Sequence, residues 1–308
     1  MINLPKFVFK FVGFSFLLWV LLSTAIPQVS LKLTNKEIQT NKFLQSTYPY
    51  NSITSPSPLP IADSDVYYII GHPDDEVMFF APSLLEISKK KHNNRVHLVC
   101  FSKGDAVDPS MGVIRSEELR QSARILGVKE SDVIVLDGYA DGMNVSWDAA
   151  DIGTSLSKIV KEPRSVLITF DEQGVSNHPN HISLYHGVRS FYENYLKRKS
   201  PENRLFVLKS LNFWEKYSFT LLTNVELLVD LISKHFLSNI LKLNVNVSFF
   251  NQIPREGPPT IRFYSDLNML SVSYAAMAYG HFSQMVWFRY GWLLFSRYLT
   301  YNNLIQVK

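Results

Sequence analysis

The stretch Val66-Tyr67-Tyr68-Ile69-Ile70-Gly71-His72-Pro73-Asp74-Asp75-Glu76 decides how this chain is read. Five apolar or aromatic, β-favouring residues run into a glycine, which predicts a buried strand over Val66 to Ile70. A histidine, a proline and three acids follow at once. Open α/β sheets place their ligands beyond the carboxyl ends of the strands, so the polar run falls where a site is expected. Three adjacent carboxylates beside an imidazole are costly to bury, because like charges repel and desolvation disfavours ionisation. A bound cation would offset that cost. The plainer alternative is a helix start, where acids are favoured by the helix dipole alone.

From this strand onward, strand-like and helix-like segments alternate. Helical patterns span 77–91, 113–126, 149–161 and 180 or 181–196, and strand patterns span 95–101, 132–136, 165–170 and 204–208. Gly127 stops the second helix and Asp148 is the expected N-cap of the third. The βαβα rhythm predicts an α/β fold: a Rossmann-like, mostly parallel sheet with helices on both faces. The 308 residues, 46% of them hydrophobic, suit one such domain with a terminal extension. The net charge of +4 comes from scattered basic residues, so no nucleic-acid partner is expected. Cys100, the single cysteine, rules out an internal disulfide and a cysteine-based zinc site. It sits in an apolar run and reads as core.

Before the first strand lies an uncharged apolar run, Phe11 to Ile26, extended by Phe7, Val8 and Phe9 across Lys10. It approaches the roughly 20 residues that a membrane span needs. Residues 1–27 are therefore expected to be a transmembrane anchor, with a cleaved signal peptide as the alternative. Residues 28–64, rich in Pro, Ser and Thr, read as a linker, and the domain is expected over 65–308. The alternation breaks near Tyr217. Residues 217–250 read as an insertion with one amphipathic helix, 221–237, either packed on the sheet or lying on a bilayer. The segment Ser271 to Tyr301 mixes aromatics with arginines, which suits a terminal helix or a membrane–water boundary.

A second polar cluster, Asp171-Glu172-Gln173-Gly174-Val175-Ser176-Asn177-His178-Pro179-Asn180-His181, follows the fourth strand of the domain. In a doubly wound sheet the first and fourth strands flank the switch point, so both clusters would meet in one crevice. Together they offer three histidines and several carboxylates. That is enough for a site of two His and one carboxylate with an open position for water. His72 and Asp75 are three apart, so a turn can aim both at one ion. Asp74, between them, could address the water. His178 and His181 are also three apart, so one can ligate while the other faces the substrate.

These motifs carry a family resemblance. Gly71-His72-Pro73-Asp74-Asp75-Glu76, and His178-Pro179-Asn180-His181 after Phe170-Asp171-x-x-Gly174-Val175-Ser176, resemble the two signatures of the PIG-L/LmbE-like metal-dependent deacetylases. Cys100 to Gly104, Arg115 with Glu118-Leu119, Leu126 to Val128, His281-x-Ser283-Gln284-Met285-x-Trp287-Phe288-Arg289 and Phe295 to Tyr298 resemble its eukaryotic branch. The resemblance implies Zn2+, or another divalent first-row metal, held by His72, Asp75 and His181. It implies Asp74 as general base and His178 as the oxyanion-stabilising or proton-donating residue. By analogy Arg115 and Asp141 hold sugar hydroxyls. Bacterial relatives tend to have Asp where Asn180 stands, which leaves open what carboxylate supports a ligand histidine. The implied substrate is the glycolipid N-acetylglucosaminyl-phosphatidylinositol, deacetylated in the second step of glycosylphosphatidylinositol-anchor synthesis. The implied location is the endoplasmic reticulum membrane, with the catalytic domain facing the cytoplasm. A deacetylase of another N-acetyl sugar conjugate and a non-catalytic glycolipid-binding relative are the competing readings.

Overall fold

The computed structural model describes residues 4–29, 50–53, 59–106, 108–161, 163–232 and 260–308. One eight-stranded sheet organises them. Its strands are β1 (Tyr50–Asn51), β2 (Asp65–Ile70), β3 (Arg95–Cys100), β4 (Val133–Val135), β5 (Ser165–Phe170), β6 (Arg204–Leu208), β7 (Thr260–Tyr264) and β8 (Tyr301–Val307). Their spatial order is β1-β7-β8-β6-β5-β2-β3-β4. All neighbours are parallel except β8, which runs antiparallel to both β6 and β7.

β2 is central. β3 and β4 lie to one side of it, β5 and β6 to the other, with Tyr68 beside both Leu98 and Ile168. The order of strands therefore reverses between β2 and β5, and the loops leaving their carboxyl ends diverge. Every residue from Val66 to Ile70 and from Ser165 to Phe170 is buried. Successive side chains on a strand point to opposite faces, so both faces of the sheet are covered. Each fully buried Val, Ile or Phe there contributes about 1.5–3 kcal/mol of hydrophobic stabilisation.

The helices that frame the sheet and the site are α1 (Leu4–Val20), α2 (Asp75–Met78), α3 (Ala81–Ile87), α4 (Met111–Ile125), α5 (Ala149–Ile159), α6 (Pro179–Phe191), α7 (Thr220–Leu231), α8 (Leu267–Ala275) and α9 (Trp287–Phe295), with shorter turns of helix between them. Asp148 caps α5 as expected, its carboxylate accepting from the Ala150 and Asp151 amides. α5 and α6 pack tightly because Gly187 has no side chain; a Cβ there would lie 2.6 Å from Ile152.

Three expectations change. The single helix over 77–91 is two helices, since Pro82 lies in the first turn of α3 and can follow only a fresh helix start. The sheet gains β7 and β8, which the sequence reading missed. β8 contains Asn302 and Asn303, and β7 contains Arg262, so neither reads as a buried strand. Asn302 is satisfied internally, donating to the Phe79 carbonyl at 2.8 Å and accepting from the Ser83 amide at 3.0 Å. Arg262 lies 3.5 Å from Asp230. Core contacts also begin before Asp65, with Leu59 and Ile61 buried and Tyr50–Asn51 pairing with β7. The helix expected over 221–237 appears as α7; residues 233–259, and with them the rest of the suspected insertion, lie outside the described residues.

The N-terminal helix continues through Val29, and Lys6–Val29 is long and apolar enough to cross a membrane. Ser15, Trp19, Leu22 and Ser23 are buried along one stripe, whose partner is α7.

Candidate metal centre

Gly71 ends β2, and its lack of a side chain is what lets the two polar clusters touch. A Cβ at Gly71 would lie 2.9 Å from His181 Cδ2 and 3.3 Å from Asp75 Oδ2. Asp75 Oδ2 accepts from the backbone amides of Gly71 and His72, both at 2.9 Å. The same oxygen lies 3.2 Å from His181 Nε2 and 3.6 Å from His72 Nδ1, and those two nitrogens are 3.2 Å apart. Tetrahedral bonds of 2.0–2.1 Å from zinc to N or O put neighbouring ligand atoms about 3.3 Å apart. The three atoms thus have the spacing of one face of such a tetrahedron. His178 can also offer a nitrogen: with His72 and His181 it forms a group whose ligand atoms lie within 4.8 Å of one another. The set containing Asp75 is the tighter and adds negative charge.

The protons are arranged to match. His181 Nδ1 donates to the Gly174 carbonyl at 3.2 Å, which leaves Nε2 with a free lone pair. His72 Nε2 faces Asp141 Oδ1 and Asn180 Oδ1, each at 3.1 Å, which leaves Nδ1 directed at the centre. Burial opposes charge on His72, but the Asp141 and Asp75 carboxylates outweigh it and push its pKa up to about 10. The field at this point therefore favours a cation, and a proton and a metal ion compete for the same lone pair. Burial raises Asp75 as well, yet the His181 and His72 imidazoles hold it well below the usual carboxylate range.

His178 caps α6, its Nδ1 accepting from the Asn180 amide at 3.3 Å. The neutral ring then carries its proton on Nε2. Desolvation, followed by the neighbouring His72 and His181, lowers its pKa to about 4, so it is neutral at pH 7.

Asp74 has φ 129°, a conformation that costs a non-glycine residue on the order of 1–3 kcal/mol. Glu76 helps to hold it there. Its Oε2 accepts from the Asp74 amide at 3.2 Å, while Oε1 lies 2.5 Å from His281 Nε2 and accepts from Ser122 Oγ at 2.6 Å. Asp74 Oδ2 accepts from Arg289 Nη2 at 2.6 Å and lies 3.5 Å from Arg115. Burial raises the Asp74 pKa against the opposing pull of Arg289 and Arg115.

The structure thus brings His72, Asp74, Asp75, His178 and His181 to one crevice. Arg115 and Asp141, expected at sugar hydroxyls, each contact protein groups. Arg115 donates to the Pro73 carbonyl at 2.8 Å and to the Gly104 carbonyl, and Asp141 faces His72. Asp141 is therefore a carboxylate that orients His72, with Asn180 beside it. Glu76, His281 and Arg289 were not singled out for the site from sequence, although His281 and Arg289 lay in a stretch quoted for the resemblance.

Residues 67–192 match the family model described as PIG-L: GlcNAc-PI de-N-acetylase. A Schizosaccharomyces pombe protein named "Probable N-acetylglucosaminyl-phosphatidylinositol de-N-acetylase" is 33% identical over 249 residues, covering 80% of this chain and 88% of that protein. The Saccharomyces cerevisiae N-acetylglucosaminyl-phosphatidylinositol de-N-acetylase is 29% identical over 322 residues, covering 98% and 95%. The Bos taurus protein of the same name is 32% identical over 252 residues, covering 80% and 85%. With its two motifs folded into one crevice and relatives matched over most of their length, the chain belongs to the PIG-L family of de-N-acetylases and is a hydrolase.

Proposed function

We propose that this chain removes the N-acetyl group of N-acetylglucosaminyl-phosphatidylinositol, giving glucosaminyl-phosphatidylinositol and acetate, with Zn2+ held by His72, Asp75 and His181 on a Rossmann-like sheet. The observation that carries the reading is the tetrahedral spacing of those three ligand atoms, with the His178 ring 4.7 Å from that of His72 and 4.8 Å from that of His181. When bound, zinc supplies Lewis acidity toward the acetamide carbonyl and the attacking water.

The rest falls to the chain's own residues. Asp74 takes the proton of the attacking water. Arg289 and Arg115 hold Oδ2, so Oδ1 is the oxygen that receives it. Burial makes this carboxylate a stronger base than one in water, against the opposing pull of Arg289 and Arg115. His178, neutral with its proton on Nε2, donates a hydrogen bond to the carbonyl oxygen as negative charge develops, and Asp74 passes the proton taken from water to the departing amine nitrogen. The carbon–nitrogen bond breaks, the amine gains a proton and acetate is released. Asp141 and Asn180 fix the orientation of His72 throughout.

Lys6–Val29 anchors the enzyme in the endoplasmic reticulum membrane, with the catalytic domain on the cytoplasmic side where the lone Cys100 stays reduced. The test is acetate release from N-acetylglucosaminyl-phosphatidylinositol by the purified full chain. Release should stop with chelator and return with added zinc. Release insensitive to chelator, or none at all, overturns the reading.

A further inference from the structure

We propose that α7 lies in bilayer hydrocarbon beside the N-terminal helix, so that the catalytic domain is sunk into one leaflet rather than hung from a tether. The proposal rests on the membrane-anchoring reading above and deepens it.

The first observation is that α7 has its polarity reversed. Thr220, Thr223, Asn224, Glu226 and Asp230 are all buried, alongside Leu227 and with Leu228 packed on the core, whereas Leu221 is exposed and Leu222 and Val225 are half-buried. A helix on a water-facing surface does the opposite, turning its apolar stripe to the core and its charges outward. The buried acids have matched partners: Glu226 lies 2.8 Å from Arg297 and accepts from the Tyr264 hydroxyl at 3.0 Å, and Asp230 lies 3.5 Å from Arg262. Charges turned inward and paired, with apolar side chains outward, are what a lipid environment selects.

The second observation is depth. Ser15 Oγ is 2.9 Å from Thr220 Oγ1, and Asn224 Nδ2 donates to the Ser15 carbonyl at 2.8 Å. Ser15 is nine residues beyond Lys6, so at 1.5 Å per residue it lies about 14 Å along the span, near the middle of a hydrocarbon layer about 30 Å thick. Groups bonded to Ser15 share its depth. The 12 described residues of α7, about 18 Å, start at that depth and suffice to run through one leaflet.

The third observation is continuity. On the far side of the N-terminal helix Phe9, Phe14 and Leu17 are exposed. The Phe219 amide at the start of α7 donates to the Phe295 carbonyl at the end of α9. α9 exposes Trp287 and Tyr290, residue types that settle at the membrane–water boundary, and from it Arg289 reaches Asp74. One apolar surface thus runs from the span, across α7, to the edge of the candidate metal centre.

The experiment uses the full chain in phosphatidylcholine vesicles containing lipids spin-labelled along the acyl chain. Cys100 is buried, so a cysteine introduced as Leu221→Cys or Leu222→Cys accepts an environment-sensitive fluorophore. Lys158→Cys, on the exposed face of α5, is the control. Labels at 221 and 222 should be quenched severalfold by the acyl spin labels and little by aqueous iodide, with the control reversed. Ile232→Cys repeats the reading where either substitution impairs folding. Quenching by iodide in protein that stays with vesicles after a carbonate wash overturns this proposal and leaves the anchor intact. Shielding from both quenchers also overturns it, since protein rather than lipid then covers α7. Loss of the chain from the vesicles removes the anchoring reading and this proposal together.

Discussion

Arg289 Nη2 stands 2.6 Å from Asp74 Oδ2, joining the tip of β2 to a helix 215 residues further along the chain. The ion pair is nearly buried, and losing one partner leaves a carboxylate without its strongest neighbour. Arg289→Met is expected to lower deacetylation about 100-fold or more, the scale set by an uncompensated buried charge. Arg289→Lys should recover part of the loss, since a lysine restores charge but not the planar guanidinium geometry. Metal content, measured by atomic absorption, should be unchanged in both.

Gly71→Ala changes no ligand and no charge, yet it should cost the enzyme its metal. The added methyl would meet His181 at 2.9 Å, and the Asp75 carboxylate at 3.3 Å leaves little room for the ring to retreat. Zinc affinity and activity are expected to fall together, at least tenfold, with the secondary structure seen by circular dichroism intact.

Asp141→Asn tests the support of His72. Substituting an outer partner of a ligand histidine typically costs about 10–100-fold in metal affinity or activity. That range is expected here, with the loss appearing in zinc titrations. A residue acting only on the sugar would raise KM and leave zinc affinity untouched.

Asp74 and His181 should separate chemistry from binding. Asp74→Asn is expected to retain stoichiometric zinc while activity falls about 10²–10⁴-fold, the usual worth of a positioned general base. His181→Ala should lose zinc itself.

Acid should weaken one corner of the fold in a predictable direction. Burial raises Glu86, but Lys89, Lys91 and His92 outweigh it and lower its pKa below the ordinary value. Its folded pKa is depressed, so its stabilisation is complete above the unfolded pKa and lost as pH falls through the folded one. The stability gap between wild type and Glu86→Gln, measured by chemical unfolding, should hold above the ordinary glutamate pKa and shrink as pH falls below it.

Both halves of the candidate site were legible because each is a short polar run on the end of a strongly apolar strand. Val66 to Ile70 and Ser165 to Phe170 are continuous β-favouring runs, and Gly71 and Asp171 mark where they stop. The strands read from such runs lie within a residue or two of the observed ones. What was hidden depends on partners distant in sequence. Asn302 in β8 looks like turn chemistry until the Phe79 carbonyl and Ser83 amide are beside it. Glu76 looked like a helix acid until His281 arrived from the far end of the chain. Asp141 follows the third strand of the domain, and its position alone does not distinguish contact with a sugar from contact with His72.

The position of β8 has a further consequence. It is not an edge strand but lies between β6 and β7, with a neighbour on each side. Cleavage after Leu299 would therefore not trim the sheet; it would cut it in two. β7 with β1 would separate from the five strands that carry the crevice, and two unpaired ladders would be laid open at once. Raw edges of that kind invite pairing with other chains. A nick of a few residues at this end should send the protein to aggregation and to the cell's degradation machinery before any deficit in catalysis could be measured.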